Sequence, residues 1–369
     1  MKLAIIGAST GQLPLCEKSK ELGIYTIGFA WPQGAVCKDI VDKFYPISIL
    51  EKDAILEICK EEQIDGVVSN ASDLTAEIVS YIATKLHLHG VEYESFLRLK
   101  DKSVVRGLTS SVNELCQVRV FNCSEIGSIP FPCVVKPKTG AAKKGVFFVN
   151  SETELKKAIE KNLQESDDVI IEEYISGREI SVETISFEGR HYVIQVTDKE
   201  NSGAPHFVEL AHHQPSSVSK VVWNKIERIV PDLLDAVGYQ NGAAHVEMKV
   251  DGKGDIYLIE INPRGGGDEI SNSLVQLSTG YDYIKGMIDV ALGQFEPPIV
   301  QKNGFAGVYY LCKQTVNLLP VFKSTTKPSW LVEMNCKTLE ELHNATDNYS
   351  RDGYFVYYWD KKVVFNKFS

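Results

Sequence analysis

The first 90 residues alternate short apolar runs with amphipathic segments. The apolar runs have the length and β-branched content of buried strands, whereas the amphipathic segments repeat their apolar residues at helical spacing. The strands are predicted at 3–6, 24–29 and 66–69, and the helices at 12–22, 53–62 and 74–86. Strands that alternate with helices in this way predict an α/β fold with a doubly wound parallel sheet.

Beyond residue 101 the pattern changes to short strands separated by polar, glycine-containing turns. A short apolar run at 131–137 ends in Lys136 and is stopped by Pro137, and a polar loop follows it. Residues 178–187 alternate apolar and polar positions, which is typical of a half-buried antiparallel strand. Further helices are predicted at 152–163, 218–237, 270–277 and 281–292, and paired strands at 242–250 and 255–261.

Composition narrows the class of protein. The chain has 369 residues, of which 44% are hydrophobic and 24% charged, as in soluble globular proteins of two or three domains. The net charge of −10 and the absence of basic runs argue against a nucleic-acid partner. No apolar stretch has the length of a membrane helix. The eight cysteines form no C-x-x-C pair, so we expect reduced thiols and a cytoplasmic location.

A predicted hairpin at 244–262 carries the strongest candidate chemistry. With Gly252-Lys253 as a two-residue loop, position 247 faces 258 and position 245 faces 260. His245, Glu247, Glu260 and Asn262 then share one face, with Glu247 and Glu260 as diagonal neighbours about 7–8 Å apart. Two carboxylates and an amide oxygen suit Mg²⁺, with Mn²⁺ as an alternative. A solvated hairpin face is the competing interpretation, and a three- or five-residue loop would reverse the relation.

Three further groups of residues fit a nucleotide. Lys136 and the glycine-bounded loop with Gly140, Lys143, Lys144 and Gly145 offer donors for phosphate oxygens, although a surface turn with solvated lysines has the same composition. The strand end at Glu172, Glu173 and Ile175, with Glu179 beyond it, could pair with a purine edge and ribose hydroxyls. The third group is Arg264 with the glycines after it, which suits an anion.

The turn Gly7-Ala8-Ser9-Thr10-Gly11-Gln12 resembles a dinucleotide-binding turn only superficially. It lacks the G-x-G-x-x-G spacing, and Phe29-Ala30-Trp31 stands where an acidic residue would close the second strand. A tight turn between strand and helix is the simpler interpretation.

The order of these motifs resembles that of ATP-grasp enzymes over about residues 100–300. The resemblance implies a doubly wound parallel βα domain, a two-lobed ATP-grasp fold and a small β-rich C-terminal piece. The corresponding parts are residues 1–100, 101–190 for the small lobe, 191–298 for the large lobe, and 299–369. The Ala141-Ala142-Lys143 stretch departs from the family's usual small-residue loop, so the phosphate donors in that loop stay open.

The resemblance also implies roles for individual residues. Lys102 and Lys136 would contact ATP phosphates, and the loop over 140–145 would close over the triphosphate. Glu172, with the backbone of Glu173 and Ile175, would hold adenine, and Glu179 the ribose. Mg²⁺ would be held by Glu247, Glu260 and Asn262, and the catalytic residues would be Arg264 and Lys136.

Within the superfamily, residues 207–216 and 264–267 resemble the amino-acid (dipeptide) ligase branch, which includes enzymes related to carbamoyl-phosphate synthase. The substrate residues implied are His213, His245, Arg264, Gly265, Gly266 and Asp73. The expected activity is an ADP-forming ligation of a small carboxylate, such as an amino acid, to an amine, in a chain that could form a homodimer. Alternatives are a carboxylase or carbamoyl-phosphate-type enzyme using bicarbonate, and a non-catalytic nucleotide-binding protein.

Overall fold

The computed structural model describes residues 1–140 and 144–365. Within these ranges, no helix is both long and apolar enough to cross a membrane. The strands are β1 (Lys2–Ile6), β2 (Tyr25–Phe29), β3 (Lys43–Tyr45), β4 (Gly66–Val68), β5 (Leu115–Cys116), β6 (Val120–Phe121), β7 (Cys133–Pro137), β8 (Phe147–Val149), β9 (Val169–Glu173), β10 (Arg178–Phe187), β11 (Arg190–Asn201), β12 (Glu209–Gln214), β13 (Gly242–Val250), β14 (Ile256–Asn262), β15 (Phe305–Leu311), β16 (Leu331–Cys336) and β17 (Gly353–Trp359). The α-helices are α1 (Leu13–Glu21), α2 (Lys52–Glu62), α3 (Asp73–Leu86), α4 (Tyr93–Lys100), α5 (Lys102–Leu108), α6 (Glu152–Leu163), α7 (Lys220–Ala236), α8 (Val275–Thr279), α9 (Tyr283–Ala291) and α10 (Leu319–Lys323).

The N-terminal part is a four-stranded parallel sheet in the order β3-β2-β1-β4. Its central strand β1 is buried over Leu3–Ile6, and α2 and α3 pack against the sheet through an apolar cluster. The predicted α/β fold with a parallel sheet is confirmed, and three strands and three helices lie within two residues of their predicted ends. The short strand β3 was not predicted, because it has only three residues and a single partner strand.

A second sheet is antiparallel and has the order β6-β9-β7-β8. Helix α6 covers it through Leu155, Ala158 and Ile159, which repeat at helical spacing and are all buried. Ser151 caps this helix by accepting a hydrogen bond from the backbone N–H of Glu154. The sheet therefore presents its other face, with Lys136 and Glu172, to the rest of the molecule.

The third sheet has nine strands in the order β16-β17-β15-β12-β11-β10-β13-β14-β5. Helix α7 packs on one face through buried aliphatic residues that contact Val182, Val196 and Val246. The three C-terminal strands β15, β16 and β17 extend this sheet through the pairing of β12 with β15. The C-terminal residues are β-rich, as expected, but they continue the large sheet. The predicted limits of the parts at 100, 190 and 298 stay predictions.

The register of the 244–262 hairpin differs from the prediction. Val250 pairs with Ile256, so the loop has five residues, and this alone would place Glu247 opposite Ile259. A β-bulge at Ile259 shifts the pairing by one residue, and Glu247 lies directly opposite Glu260. The predicted pairing of 247 with 258 and of 245 with 260 is therefore wrong. The four residues still share one face. The longer loop and the bulge together shift the pairing by two residues, and a shift of two leaves every side chain on the same side of the strand.

Candidate active site

One face of the large sheet brings together charged residues from five adjacent strands. Glu260 lies opposite Glu247, and two residues further along β13 Lys249 lies opposite Glu179. Glu179 in turn lies opposite Lys199, and Lys199 lies opposite His212. Opposed residues and alternate residues of a strand share a face, so these side chains line the same surface.

A cleft separates this face from the second sheet. Its walls include ten of the residues predicted to bind nucleotide or metal, together with residues that the sequence analysis did not single out. The lining residues are Lys102, Val118, Val134, Lys136, Pro137, Gly140, Lys144, Val146, Glu172, Glu173, Tyr174, Ile175, Glu179, His206, Phe207, Glu247, Lys249, Ile259 and Glu260. Lys143 lies outside the described residues.

Lys136 and Glu172 form a buried ion pair in the wall of the cleft that the second sheet provides. The Lys136 Nζ lies 2.6 Å from Glu172 Oε2, and Arg106 Nε donates to Oε1 at 2.9 Å. Burial lowers the pKa of Lys136. Burial opposes ionisation of Glu172 too, but the charges of Lys136 and Arg106 outweigh it and lower the pKa of that carboxyl. The glutamate therefore holds two cations in fixed positions.

Gly140 and Lys144, at the two described ends of the glycine-bounded loop, line the cleft. Lys102 Nζ donates to the carbonyl of Gly140 at 3.1 Å and lies 3.0 Å from Glu260 Oε1. Lys144 is exposed and pairs with Glu165 at 3.2 Å. Gly145 has φ +73°, and a Cβ there would clash with Asn162 and Pro137, so this position requires glycine.

Glu247 lies between two cationic groups. Lys199 Nζ is 2.6 Å from its Oε1, and His245 Nε2 is 3.2 Å from the same oxygen. Burial acts to lower the pKa of Lys199, but Glu209, Glu247 and Glu179 raise it well above its usual value. Lys199 is therefore a buried cation that holds the candidate metal ligand Glu247.

The candidate metal site can be tested against its donor chemistry. Among the described residues, no group of three or more His, Cys, Asp and Glu side chains is arranged to hold a metal ion. The predicted set has two such residues, Glu247 and Glu260, which are direct cross-strand neighbours, and an amide from Asn262 on the same face. Two carboxylates with an amide oxygen fit Mg²⁺, which takes few protein ligands and completes its shell with water and phosphates.

The predicted adenine and ribose residues lie where β9 turns into β10. The Glu173 carboxylate accepts a hydrogen bond from the Arg119 N–H at 2.8 Å. The Ile175 carbonyl accepts one from Lys249 Nζ at 3.0 Å, and that ammonium group lies 4.7 Å from the centre of the Tyr174 ring. Asn201 donates to Glu179 at 3.1 Å. This end of the cleft therefore combines apolar walls with backbone and carboxylate polar groups.

Arg264 connects the large sheet to the N-terminal part. Its Nε lies 2.5 Å from Asp73 Oδ1, at the start of α3, and its Nη1 donates to the Gly265 carbonyl at 3.0 Å. Burial acts to lower the pKa of Arg264, but the charge of Asp73 raises it. Asp73 therefore contacts Arg264 directly, as an ion-pair partner that fixes the guanidinium.

The predicted substrate residues fall into two groups. His245 Nδ1 lies 2.6 Å from Glu183 Oε1, and the backbone N–H of Gly266 donates to Glu183 Oε2 at 3.1 Å, so these residues adjoin the site face. Burial opposes protonation of His245, but Glu183 raises its pKa to about 9. In contrast, His213 faces the other side of the sheet and contacts the Tyr357 hydroxyl at 2.8 Å. Its placement does not support the predicted substrate role.

Two site residues, Arg106 and Lys199, received no role from the sequence. Arg106 lies on α5 with Lys102, in a segment that carries part of the family resemblance, whereas Lys199 lies in a segment without a motif. Only long-range pairing brings them to Glu172 and Glu247. The sequence offers one signal for Lys199, which is a single lysine between the acidic residues Asp198 and Glu200.

Known proteins resemble this chain in sequence and in fold. Residues 129–273 match the ATP-grasp domain family. The structure superposes on that of an L-amino acid ligase from Bacillus licheniformis with a TM-score of 0.81 and 23% identity, covering 97% of this chain and 93% of that one.

Two curated relatives extend the comparison. A D-alanine–D-alanine ligase from Petrotoga mobilis is 30% identical over 105 residues, which is 27% of this chain and 35% of that protein. Biotin carboxylase 2 from Bacillus subtilis is 25% identical over 271 residues, which is 69% of this chain and 56% of that protein. The chain thus spans about a third and about half of the lengths of these relatives. The names of these two relatives state different substrates.

Proposed function

We propose that this protein is an ATP- and Mg²⁺-dependent carboxylate–amine ligase. The observation that supports it most is the direct opposition of Glu247 and Glu260 on the cleft wall, each held by a lysine. The buried Lys136–Glu172 pair lies on the facing wall of the same cleft. The similarity to an L-amino acid ligase and a D-alanine–D-alanine ligase supports an amino acid as one substrate.

Some residues of the cleft would bind the nucleotide, and others would neutralise the charge of its phosphates. Lys102 and Lys136 would bind ATP phosphates. Glu172, with the backbone of Glu173 and Ile175, would hold adenine, and Glu179 would hold the ribose. Mg²⁺, held by Glu247, Glu260 and Asn262, would neutralise charge on the phosphates. The γ-phosphoryl group of ATP would pass to the substrate carboxylate and give an acyl phosphate and ADP.

Arg264 would stabilise the negative charge at the reacting group, and Asp73 would keep its guanidinium in place. The amine nitrogen would then attack the acyl carbon, forming the C–N bond and releasing phosphate and a proton. Phosphoryl transfer requires mainly positioning and charge neutralisation, and no nucleophilic side chain is required for either step.

The test is phosphate release from MgATP in the presence of pools of amino acids and other small carboxylates, with mass spectrometry of the products. A ligase gives ADP and a product lighter by one water than its two substrates. Release that depends on bicarbonate alone would refute the carboxylate–amine reaction and indicate a carboxylase. Chelation of divalent metal is expected to abolish release.

Matched variants test the assigned residues. Glu247→Gln should reduce phosphate release at least about tenfold, because a carboxylate is lost from the metal set. Lys136→Met should weaken MgATP binding, whereas Lys157→Met, an exposed position on α6, should leave it unchanged. Unaltered release by Glu247→Gln would show that the metal assignment is wrong.

A further inference from the structure

The loop that begins with Arg264 has few side chains of its own to hold it. Three glycines at 265–267 follow the arginine, and glycine leaves the backbone a wide choice of conformations. The middle of the loop is held from outside: the Gly266 N–H donates to Glu183 Oε2 at 3.1 Å, and the Gly266 carbonyl accepts from Ser271 Oγ at 2.6 Å. The conformation of residues 264–269, the Arg264 loop, therefore depends on contacts with other segments.

The far end of the Arg264 loop has a left-handed backbone. Asp268 has φ +54° and Glu269 has φ +65°, so two consecutive residues with a Cβ lie in this region. Such residues are uncommon there and persist only where their surroundings enforce the conformation. The loop therefore needs a contact that holds it at this end.

Arg351, from the C-terminal part of the chain, makes that contact. Its Nη2 and Nη1 donate to Oδ1 and Oδ2 of Asp268 at 2.6 and 3.1 Å. Asn348 Nδ2 also donates to Oδ2, at 3.3 Å. Burial opposes ionisation of Asp268, but the charge of Arg351 outweighs it and lowers the pKa of that carboxyl. Two N–H groups of one guanidinium fix both the distance and the orientation of the carboxylate.

The guanidinium of Arg351 is itself fixed by the large sheet. Its Nε donates to the Asn348 carbonyl at 2.7 Å, and its Nη1 donates to the Glu209 carbonyl at 3.2 Å. Its central carbon lies 3.5 Å from the centre of the Tyr310 ring. Glu209 and Tyr310 belong to the paired strands β12 and β15. The far end of the Arg264 loop is therefore tied to the part of the sheet that the C-terminal strands extend.

Movement of the loop would carry the Arg264 guanidinium with it. Arg264 Nη1 donates to the carbonyl of Gly265, so the end of the side chain is bonded to the backbone of its own loop. Arg351 is not among the described residues that line the nucleotide cleft. Loss of the Arg351 contact should thus displace Arg264 and leave the nucleotide walls intact.

We propose that Arg351 is a positioning residue, which fixes Asp268 and thereby places the Arg264 guanidinium at the reacting group. This inference rests on the proposed ligase function and gives the C-terminal part of the chain a role in that reaction. An arginine suits the role because its planar fork donates to both carboxylate oxygens and to backbone carbonyls at once, whereas a lysine is a single point charge.

The test compares Arg351→Lys with wild type in the phosphate-release assay, using the full chain and the substrates that support release. The kcat should fall about tenfold to a hundredfold, because small displacements of a reacting group are costly. The KM for ATP and the affinity for MgADP should stay within about twofold of wild type, because the nucleotide walls are untouched. An unchanged kcat would overturn the inference.

Arg228→Lys is the matched control. Arg228 likewise donates two hydrogen bonds to one carboxylate, that of Glu114, at 2.8 and 3.0 Å, but both side chains are exposed. Its replacement should leave kcat unchanged. If Arg351→Lys does not fold, Asp268→Asn tests the same contact with the same expectations, since asparagine tolerates a left-handed backbone.

A double variant separates positioning from a general loss of structure. Asp73→Asn weakens the other support of Arg264, so two changes that act through one guanidinium should not be independent. The double variant Asp73→Asn with Arg351→Lys should lose less kcat than the product of the two single losses. A loss equal to that product would overturn the inference, as would an MgADP affinity that falls together with kcat.

The same assay separates this inference from the proposed function. Release by wild type that needs two substrates, with Arg351→Lys unaffected, would refute the positioning role and leave the ligase standing. Release that depends on bicarbonate alone and is slower in Arg351→Lys would support the positioning of Arg264 and refute the ligase.

Discussion

Replacing Glu172 with glutamine should destabilise the protein strongly, because two buried cations would lose their shared counterion. The exposed fractions of the three side chains are 7% for Lys136, 9% for Arg106 and 5% for Glu172. Removing one partner from a buried, hydrogen-bonded ion pair typically costs about 3–5 kcal/mol. Arg106 would keep its hydrogen bond to the Ile259 carbonyl, at 3.1 Å, so a value within this range is expected.

The neighbouring residue provides a matched control. Glu173 lies on the same strand but accepts a single hydrogen bond from a backbone N–H, so Glu173→Gln should cost less than about 1.5 kcal/mol. Guanidinium denaturation of both variants at pH 7 measures the difference. The pKa of Glu172 is depressed in the folded state, so its contribution is present above its unfolded pKa and is lost as pH falls through the folded one. A loss below about 1 kcal/mol in Glu172→Gln at pH 7 would refute this account of the ion pair.

Three other changes test separate parts of the structure. Asp73→Asn should lower the rate of phosphate release with little change in the KM for ATP, because it frees Arg264 without touching the nucleotide walls; an altered KM alone would contradict this. Gly266→Ala should cost about 1–3 kcal/mol, since its Cβ would lie 2.8 Å from His245 Nδ1, whereas Gly252→Ala, with open space around it, should be neutral in thermal melts. Burial, followed by the charges of Glu333 and Asp268, raises the pKa of Glu269 to about 7. Stability tied to this raised pKa is lost as pH rises through about 7, so Glu269→Gln should be more stable than wild type by about 1–2 kcal/mol at pH 8, and the difference should disappear towards pH 4.5. Equal melting curves of the two proteins at both pH values would contradict this prediction.

Local patterns predicted most of the elements, because burial on one face of a helix or strand repeats along the chain itself. Helix α6 is an example, because its cap at Ser151, its ends and its buried residues all lie within residues 151–163. The strands β3 and β5, in contrast, have two or three residues and are held by single partner strands. Such strands depend on contacts that a linear pattern does not contain.

In the candidate site, too, some features follow from local patterns and others depend on long-range contacts. Glu247, Glu260 and Asn262 could be placed on one face from strand alternation, but their register depended on a bulge at Ile259 that interrupts no visible pattern. The cations that hold these groups could not be found in the same way. Lys199 reaches Glu247 only because β11 and β13 both pair with β10.

Because β14 and β17 belong to one continuous sheet, the chain cannot be shortened at its C-terminus without exposing a strand edge. A chain ending near residue 298 would leave β12 as an edge strand, paired with β11 on one side only. The backbone groups of Ala211–Gln214 that bond to β15 would then be free to pair with a strand of another molecule. Tyr309 and Leu311, which cover that region through the C-terminal apolar cluster, would be lost with it. The C-terminal strands thus protect β12 from pairing with other molecules. A chain that lacks them is expected to aggregate.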